Sequence, residues 1–165
     1  KKLNNIQLAI CLVKKNPLET IFQKATELGV NKIIPLISER TEVKDINYER
    51  AKKIVIEATE QSNQLTPPAI SKITKLKNFL ESLDQSTKLL FADINSKNNL
   101  DIKDFKEVKS LCVLIGPEGD FTPKERETIL SKTNTIPFSL SNNILRADTA
   151  TISAISLINF VLSDH

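Results

Sequence analysis

Several residue types that mark particular chemistries are absent or rare in this chain. Its 165 residues contain no methionine and one histidine, His165, at the last position. Histidine-centred triads and multi-histidine metal sites need that residue inside the fold, so both are poorly supported and no metal is expected. Because an initiator methionine is also missing, we expect the sequence to start inside a longer polypeptide.

Disulfides and membrane segments are also not expected. The two cysteines, Cys11 and Cys112, lie in apolar, strand-like runs, where a thiol usually behaves as a small buried hydrophobe. No apolar run approaches the roughly 20 residues of a membrane span, and residues 1–5 lack a signal-peptide pattern. These absences predict a soluble, cytoplasmic protein with no membrane partner.

Two common nucleotide-binding patterns are missing as well. Neither GxGxxG nor a P-loop occurs, which counts against a generic nucleotide-binding domain. The length fits a single domain over residues 1–165, and the apolar content of 40% is ordinary for a globular protein.

Positive charge is concentrated near the amino terminus. Residues 1–53 hold 11 Lys and Arg against 6 Asp and Glu, whereas the rest of the chain holds 12 against 14. A basic amino-terminal part could face a polyanion such as RNA. A solvated lysine-rich surface explains the same charges equally well.

Apolar runs of strand length alternate with helical patterns along the whole chain. This alternation predicts an α/β fold with a mostly parallel sheet flanked by helices. Asn16 and Asn47 are candidate helix caps, Gly29 a candidate helix stop, and Pro35 favours an edge strand or a bulge. The expected strands cover residues 6–13, 30–37, 88–93, 108–115 and 135–140.

A first polar loop follows the strand that ends at Ile115. In Gly116-Pro117-Glu118-Gly119 the glycines permit close backbone approach and the proline stiffens the turn. Residues 122–125 then form a capping box, which predicts a helix. Glu118 could contact a ligand or could hold the loop through backbone N–H groups, and the residue pattern slightly favours the second role.

A second polar loop, residues 139–150, follows the last strand. Asp148 is a candidate cap for a final helix that is apolar on nearly all sides and must therefore be buried in the core or against another subunit.

Arg146 stands between two apolar residues. It fits either a buried ion pair with Asp148 or Glu118, or a cation held beside a ligand. Since both loops follow strands, we expect one shared pocket at the carboxyl edge of the sheet.

Five segments together resemble one family. LIGPEGDFTPKE and LSNNILRADTA, supported by QKATELGV, PLISERT and IEATEQSNQ, are similar to the RsmE-type SPOUT RNA methyltransferases, which methylate N3 of a uridine in bacterial 16S ribosomal RNA. The resemblance implies a SPOUT fold with a C-terminal trefoil knot, S-adenosyl-L-methionine as cofactor, and a homodimer acting on ribosomal RNA or the small ribosomal subunit. It also implies an N-terminal PUA-like domain, which this sequence lacks.

The resemblance also implies roles for individual residues. Arg146 would lie closest to the chemistry. Because uracil N3 is mostly protonated at neutral pH, we expect Arg146 to stabilise the developing uracil anion or to orient the base, with Glu118 or Asp148 as a weaker candidate for proton acceptor. Arg40, Glu60 and Gln61 would face the RNA substrate. The cofactor would contact Phe91, Ile115, Gly116, Pro117, Glu118, Gly119, Leu140, Ser141, Asn142, Ile144, Leu145, Arg146 and Ala150.

Several positions depart from the family pattern. The family more often has Gly at Asp120 and Ser141, Glu at Asp148, and a Gly-Arg pair at Asn63 and Gln64. Two alternatives remain open from the sequence. One is another SPOUT methyltransferase that acts on a tRNA base or a ribose 2′-hydroxyl; the other is a non-catalytic, cofactor-binding dimerisation module.

Overall fold

A computed structural model describes residues 5–163 of the chain, and within them seven strands alternate with five α-helices. A short 3-10 helix also covers Ile102–Phe105. The elements are β1 Asn5–Cys11, α1 Lys15–Glu27, β2 Lys32–Ile37, α2 Tyr48–Gln61, β3 Ala69–Ile70, β4 Thr74–Lys75, α3 Leu76–Ser82, β5 Lys88–Ala92, β6 Ser110–Ile115, α4 Pro123–Ser131, β7 Thr135–Phe138 and α5 Ala147–Ser163.

The strands form one parallel sheet. Its order is β3-β2-β1-β6-β5-β7, and β4 pairs with β2 beside β3. All six strand pairs run parallel, so the prediction of a mostly parallel sheet flanked by helices is confirmed. Parallel strands expose their carboxyl ends at one edge, where the loops after β5, β6 and β7 therefore meet.

Both faces of the sheet are covered, because successive strand residues point to opposite sides. On one face Leu8, Ile10 and Val113 belong to a core that includes buried residues of α1, α2 and α5. On the other face Cys112 and Leu114 belong to a second core with α3 and α4. The continuous apolar strands are thus explained by burial on both faces.

Pro35 lies in an interior strand, so the expected edge position or bulge is wrong. It pairs with Ile10 of β1 on the inner side of β2. On the outer side, β3 pairs with residues 32–33 and β4 with residues 36–37, which leaves a gap at Pro35. The Ile33 carbonyl accepts a hydrogen bond from the Ser71 N–H, so it points to this outer side. Backbone groups two residues apart in a strand point to the same side, and the Pro35 nitrogen therefore faces the gap. No strand there needs an N–H donor, so a proline is tolerated.

Of the two predicted helix caps Asn47 and Asn16, one is confirmed and the other is wrong. Asn47 caps α2 as expected, accepting a hydrogen bond from the Arg50 N–H at 3.0 Å. Asn16 is not a cap, because α1 begins at Lys15 and Lys14 occupies the cap position without a side-chain hydrogen bond. Pro17 is tolerated inside the first turn because N–H groups there lack intrahelical partners in any case.

The two cysteines lie on the sheet and are fully buried. Burial raises the pKa of Cys11 and of Cys112 from 9.0 to about 12. Both thiols therefore stay protonated in the folded protein at a pH where the unfolded chain would lose those protons. The contribution of the protonated thiols to the free energy of unfolding is therefore fully present below about pH 9. It decreases as the pH rises from 9 towards 12.

We expect the native thiols to react negligibly with a thiol reagent at pH 8, since the thiolate is the reactive species. We also expect the free energy of unfolding, measured by urea titration, to fall between pH 9 and pH 11. A Cys11→Ala/Cys112→Ala double variant should show a shallower fall over the same range. Equal slopes for both proteins would contradict the assigned thiol pKa values.

Candidate functional site

A cavity of about 740 Å³ lies at the carboxyl edge of the sheet. This volume is in the range of small-molecule and cofactor sites. The two polar loops form opposite walls, as the sequence predicts, and the turn after β5 and the start of α1 complete the lining. The lining residues are Lys14, Pro17, Ala92, Asp93, Ile94, Ile115, Gly116, Pro117, Glu118, Gly119, Asp120, Leu140, Ser141, Asn143, Ile144, Leu145, Arg146, Ala147, Asp148 and Ala150.

The first loop is built closely against the core. A Cβ added at Gly116 would lie 2.9 Å from Cε2 of Phe121. Phe121 is buried and contacts Phe91 edge to face, with ring centroids 5.8 Å apart. Phe91 thus packs beneath the loop rather than in the cavity lining, and its expected apolar contact with a cofactor stays a prediction.

The exit of this loop is fixed by a reciprocal capping box. The Thr122 side chain accepts from the Glu125 N–H at 3.1 Å, and Glu125 accepts from the Thr122 N–H at 3.0 Å. The second Glu125 oxygen accepts from the Glu39 N–H, and Arg40 donates to the Gly119 carbonyl at 3.0 Å. The residues after β2 therefore brace the loop, a contact that the expected substrate role of Arg40 did not include.

Glu118 is exposed on the cavity wall. Among residues 5–163 its carboxylate accepts no hydrogen bond from a backbone N–H, so the expectation that it holds the loop in this way is wrong. The neighbouring Asp120 closes the turn instead: its N–H donates to the Pro117 carbonyl, and its side chain accepts from the Phe121 N–H. Asp120 has φ +63°, a left-handed conformation that favours glycine, which explains the usual family residue there.

The second loop supplies apolar and cationic lining. Leu140, Ile144 and Leu145 line the cavity, and Ile144 is 83% exposed there. Asn142 is exposed and lies outside the lining, so its cofactor contact also stays a prediction.

Arg146 and Asp148 form an open pair at the start of α5. The Arg146 side chain is 74% exposed, and its Nε lies 3.5 Å from Oδ1 of Asp148. An ion pair with Asp148 is therefore present, but the arginine is not buried. Oδ1 of Asp148 is itself buried and has no hydrogen-bond partner in the described part of the protein. The site thus places an exposed cation beside a buried carboxylate oxygen that accepts no hydrogen bond within the described residues.

Asp148 does not cap the helix, contrary to the prediction. The Ala150 N–H donates to the Arg146 carbonyl at 2.8 Å, so α5 begins at Ala147 and Arg146 precedes it. Asp148 lies in the first helical turn, where the helix dipole favours a negative charge.

The predicted substrate residues of α2 lie outside the cavity lining. Glu60 and Gln61 are exposed at the end of the helix, and their role stays a prediction. Asn63, just beyond them, has φ +57°, which again explains why glycine is usual there.

Sequence reasoning did not assign several residues of the cavity lining, or an ion pair that supports it. Lys14 and Pro17 line the cavity because α1 starts beside it, and Asp93 and Ile94 line it because they directly follow β5. The rule that ligands bind beyond strand ends could have found the last two. The ion pair between Asp93 and Arg126 has no local signal, since the two residues are far apart in sequence.

Across residues 5–163 no group of three or more His, Cys, Asp or Glu side chains could hold a metal ion. None of the helices described is long and apolar enough to cross a membrane.

The chain is similar to named ribosomal RNA methyltransferases. It is 38% identical to ribosomal RNA small subunit methyltransferase E of Rickettsia conorii, with 98% of this chain and 66% of the relative covered. It is 35% identical to the Aquifex aeolicus protein of the same name, over 87% of this chain and 63% of the relative. The chain therefore spans just under two thirds of the length of these relatives.

Solved structures agree with this similarity. Ribosomal RNA small subunit methyltransferase E from Neisseria gonorrhoeae, bound to S-adenosyl methionine, matches with a TM-score of 0.87 and 30% identity, over 95% of this chain and 66% of that one. The SpoU methyltransferase AviRb from Streptomyces viridochromogenes shares the fold alone, with a TM-score of 0.59 and 15% identity. Residues 1–159 match the family model described as an RNA methyltransferase domain. The chain belongs to this RNA methyltransferase family.

Proposed function

We propose that the protein uses S-adenosyl-L-methionine to methylate N3 of a uridine in 16S ribosomal RNA. The observation that carries this proposal is the cavity between the two strand-end loops, in a chain that resembles a cofactor-bound ribosomal RNA methyltransferase over nearly its whole length. Such an enzyme works where ribosomes are assembled, which in a bacterium is the cytoplasm.

The residues present fit this cofactor. The cavity is large enough for it, and the apolar surface that Ile94 and Leu145 present in the lining would suit the less polar part of the cofactor. Gly116 brings the backbone close to the cavity at a position where a side chain would collide with Phe121. When bound, the cofactor would supply an electrophilic methyl group.

Arg146 and Asp148 then account for the substrate side of the chemistry. Uracil N3 carries a proton at neutral pH, so transfer to it requires a proton acceptor and stabilisation of the resulting anion. Asp148 lies in the cavity lining beside Arg146, and Glu118 is exposed on the cavity wall, so either carboxylate is a candidate for the first role. The exposed Arg146 guanidinium, whose Nε lies 3.5 Å from Oδ1 of Asp148, suits the second role.

We further propose that two chains form a homodimer through α5. One side of this helix, including Ala154, Ile155 and Ile158, is buried in the core. The opposite side presents Phe160, which is 69% exposed. An exposed aromatic residue on an apolar helix is typical of a protein interface.

Phe160→Glu should convert the dimer to a monomer, because it places a charge in an apolar contact. Sedimentation velocity of the two proteins at equal concentration measures the change. Thr128→Glu, at an exposed position on α4 instead, tests whether any added surface charge has this effect. A monomeric parent protein, or an unchanged mass for Phe160→Glu, would contradict the α5 interface.

The trefoil knot implied by the resemblance is also part of the proposal. Support comes from the path of the chain: after β7 at the sheet edge, the second loop crosses the cavity and α5 returns to pack against β6 and α1. Tracing the chain in a crystal structure of the protein would test whether the segment is threaded.

Nucleoside mass spectrometry of ribosomal RNA tests the proposed reaction. RNA from cells that lack the protein should lose 3-methyluridine from the small subunit and regain it when the gene is restored. Persistence of 3-methyluridine would contradict the assignment, and loss of a tRNA or 2′-O-methyl modification would instead identify a different RNA substrate.

A further inference from the structure

An ion pair outside the two loops joins two walls of the cavity. Asp93 lines the cavity just after β5, yet its side chain is only 3% exposed. Its carboxylate accepts from Nη2 of Arg126 at 2.8 Å and from Nε at 3.2 Å. Because two nitrogens on one edge of the guanidinium donate to the two carboxylate oxygens, the ion pair is bidentate. Such a pair is stronger than a single hydrogen bond and has a fixed relative orientation.

Asp93 also organises the turn that carries Ile94. Oδ1 of Asp93 accepts from the Asn95 N–H at 3.0 Å, and its carbonyl accepts from the Ser96 N–H at 3.0 Å. Its own N–H donates to the Phe138 carbonyl at the end of β7. Ile94 is therefore held between fixed neighbours, with a side chain that is 44% exposed in the cavity lining.

Arg126 connects this turn to the first loop. It lies on α4, whose first residue, Pro123, follows the Thr122 cap and the loop that contains Gly116 and Gly119. The hydrogen bonds that Arg126 donates to Asp93 raise the pKa of Arg126 above its ordinary value, so the guanidinium stays charged. The pair thus fixes α4, and with it the first loop, relative to Ile94.

A gain in the stability of the fold is not enough to explain why this ion pair is present. A buried ion pair gains little over apolar residues of similar size, because desolvation offsets much of the attraction. Its bidentate geometry does fix the relative position of the two elements that it joins.

We propose that Asp93 and Arg126 are positioning residues that set the spacing between Ile94 and the first loop, and thereby the affinity of the cavity for the methyl donor. This inference rests on the proposed function, because it assumes that the cavity holds S-adenosylmethionine.

Calorimetric titration with S-adenosylhomocysteine, the demethylated product of the cofactor, tests the inference. Asp93→Asn and Arg126→Gln should each raise the Kd about tenfold. The double variant should bind about as weakly as either single variant, because each substitution already breaks the same contact. In methyl-transfer assays KM for the cofactor should rise, while kcat at saturating cofactor should stay within about twofold.

Two further variants complete the design. Arg126→Lys keeps the charge but not the bidentate contact, so it should bind with intermediate affinity; it serves as the test variant if Arg126→Gln does not fold. Glu27→Gln breaks the exposed pair with Lys24 on α1, at 3.3 Å, and should leave the Kd unchanged.

The possible failures are distinguishable. Folded Asp93 and Arg126 variants with lowered melting temperatures but unchanged Kd values would show a purely structural pair and overturn the inference. A parent protein that binds neither S-adenosylhomocysteine nor S-adenosylmethionine would overturn the proposed function, and this inference with it.

Discussion

Arg146→Ala should lower kcat/KM for methyl transfer by about 10²–10³, the usual effect of removing one group that stabilises a developing anion. The Arg146 side chain is 74% exposed at the cavity, and its Nε lies 3.5 Å from Oδ1 of Asp148. Single-turnover transfer of a radiolabelled methyl group to small-subunit RNA measures the loss.

Cofactor affinity separates this role from a binding role. If Arg146 acts on the uracil, Arg146→Ala should bind S-adenosylmethionine within about threefold of the parent protein. Arg146→Lys keeps the positive charge but lacks the planar guanidinium that can donate two parallel hydrogen bonds. We therefore expect its rate to lie between those of Arg146→Ala and the parent protein. Full activity of Arg146→Ala with unchanged cofactor affinity would remove Arg146 from the mechanism.

Gly116→Ala should destabilise the protein by about 1–3 kcal/mol, the range for forcing an extra methyl group into a packed site. The new Cβ would lie 2.9 Å from Cε2 and 3.2 Å from Cδ2 of Phe121. The ring cannot move freely, because it is buried against Phe91. The first loop should therefore shift, and cofactor affinity should fall together with the free energy of unfolding measured in urea.

Gly119→Ala is the matched control for stability on the same loop. A Cβ there would meet Cβ and Cδ of Arg40 at 3.6 and 3.7 Å, which are ordinary contacts. The change in unfolding free energy should stay within about 0.5 kcal/mol. Equal destabilisation by the two substitutions would mean that loss of glycine flexibility, rather than the Phe121 contact, is responsible.

The parallel sheet and the two loops were predictable because their signals are local. Apolar runs mark strands buried on both faces, and the capping box at Thr122 marks the start of α4 at Pro123. Since parallel strands end at one edge, the loops after β6 and β7 had to approach each other. Their shared cavity follows from sequence order and strand direction alone.

Features that depend on tertiary contacts were not predictable in this way. Asn16 and Asp148 are good cap residues by type, but α1 and α5 start earlier than their sequences suggest. The bracing of Gly119 by Arg40 and the pair of Asp93 with Arg126 join residues far apart in the chain. Such contacts depend on how helices pack on the sheet, and no residue spacing encodes them.

The departures from the family pattern are explained in part by backbone geometry. Asp120 and Asn63 both adopt positive φ, and Asp and Asn are the non-glycine residues that tolerate this conformation best. Asp148 retains a carboxylate at the cavity despite its shorter side chain. The substitutions therefore preserve the turns and the charge on which the site depends.

Calorimetric titration of the purified protein with S-adenosylmethionine tests most directly whether the cavity between the two loops is a cofactor site. We expect one molecule to bind per chain, and we expect Gly116→Ala to bind it more weakly. A folded parent protein that gives no binding heat over a range of temperatures would contradict the cofactor site and the methyltransferase function that depends on it.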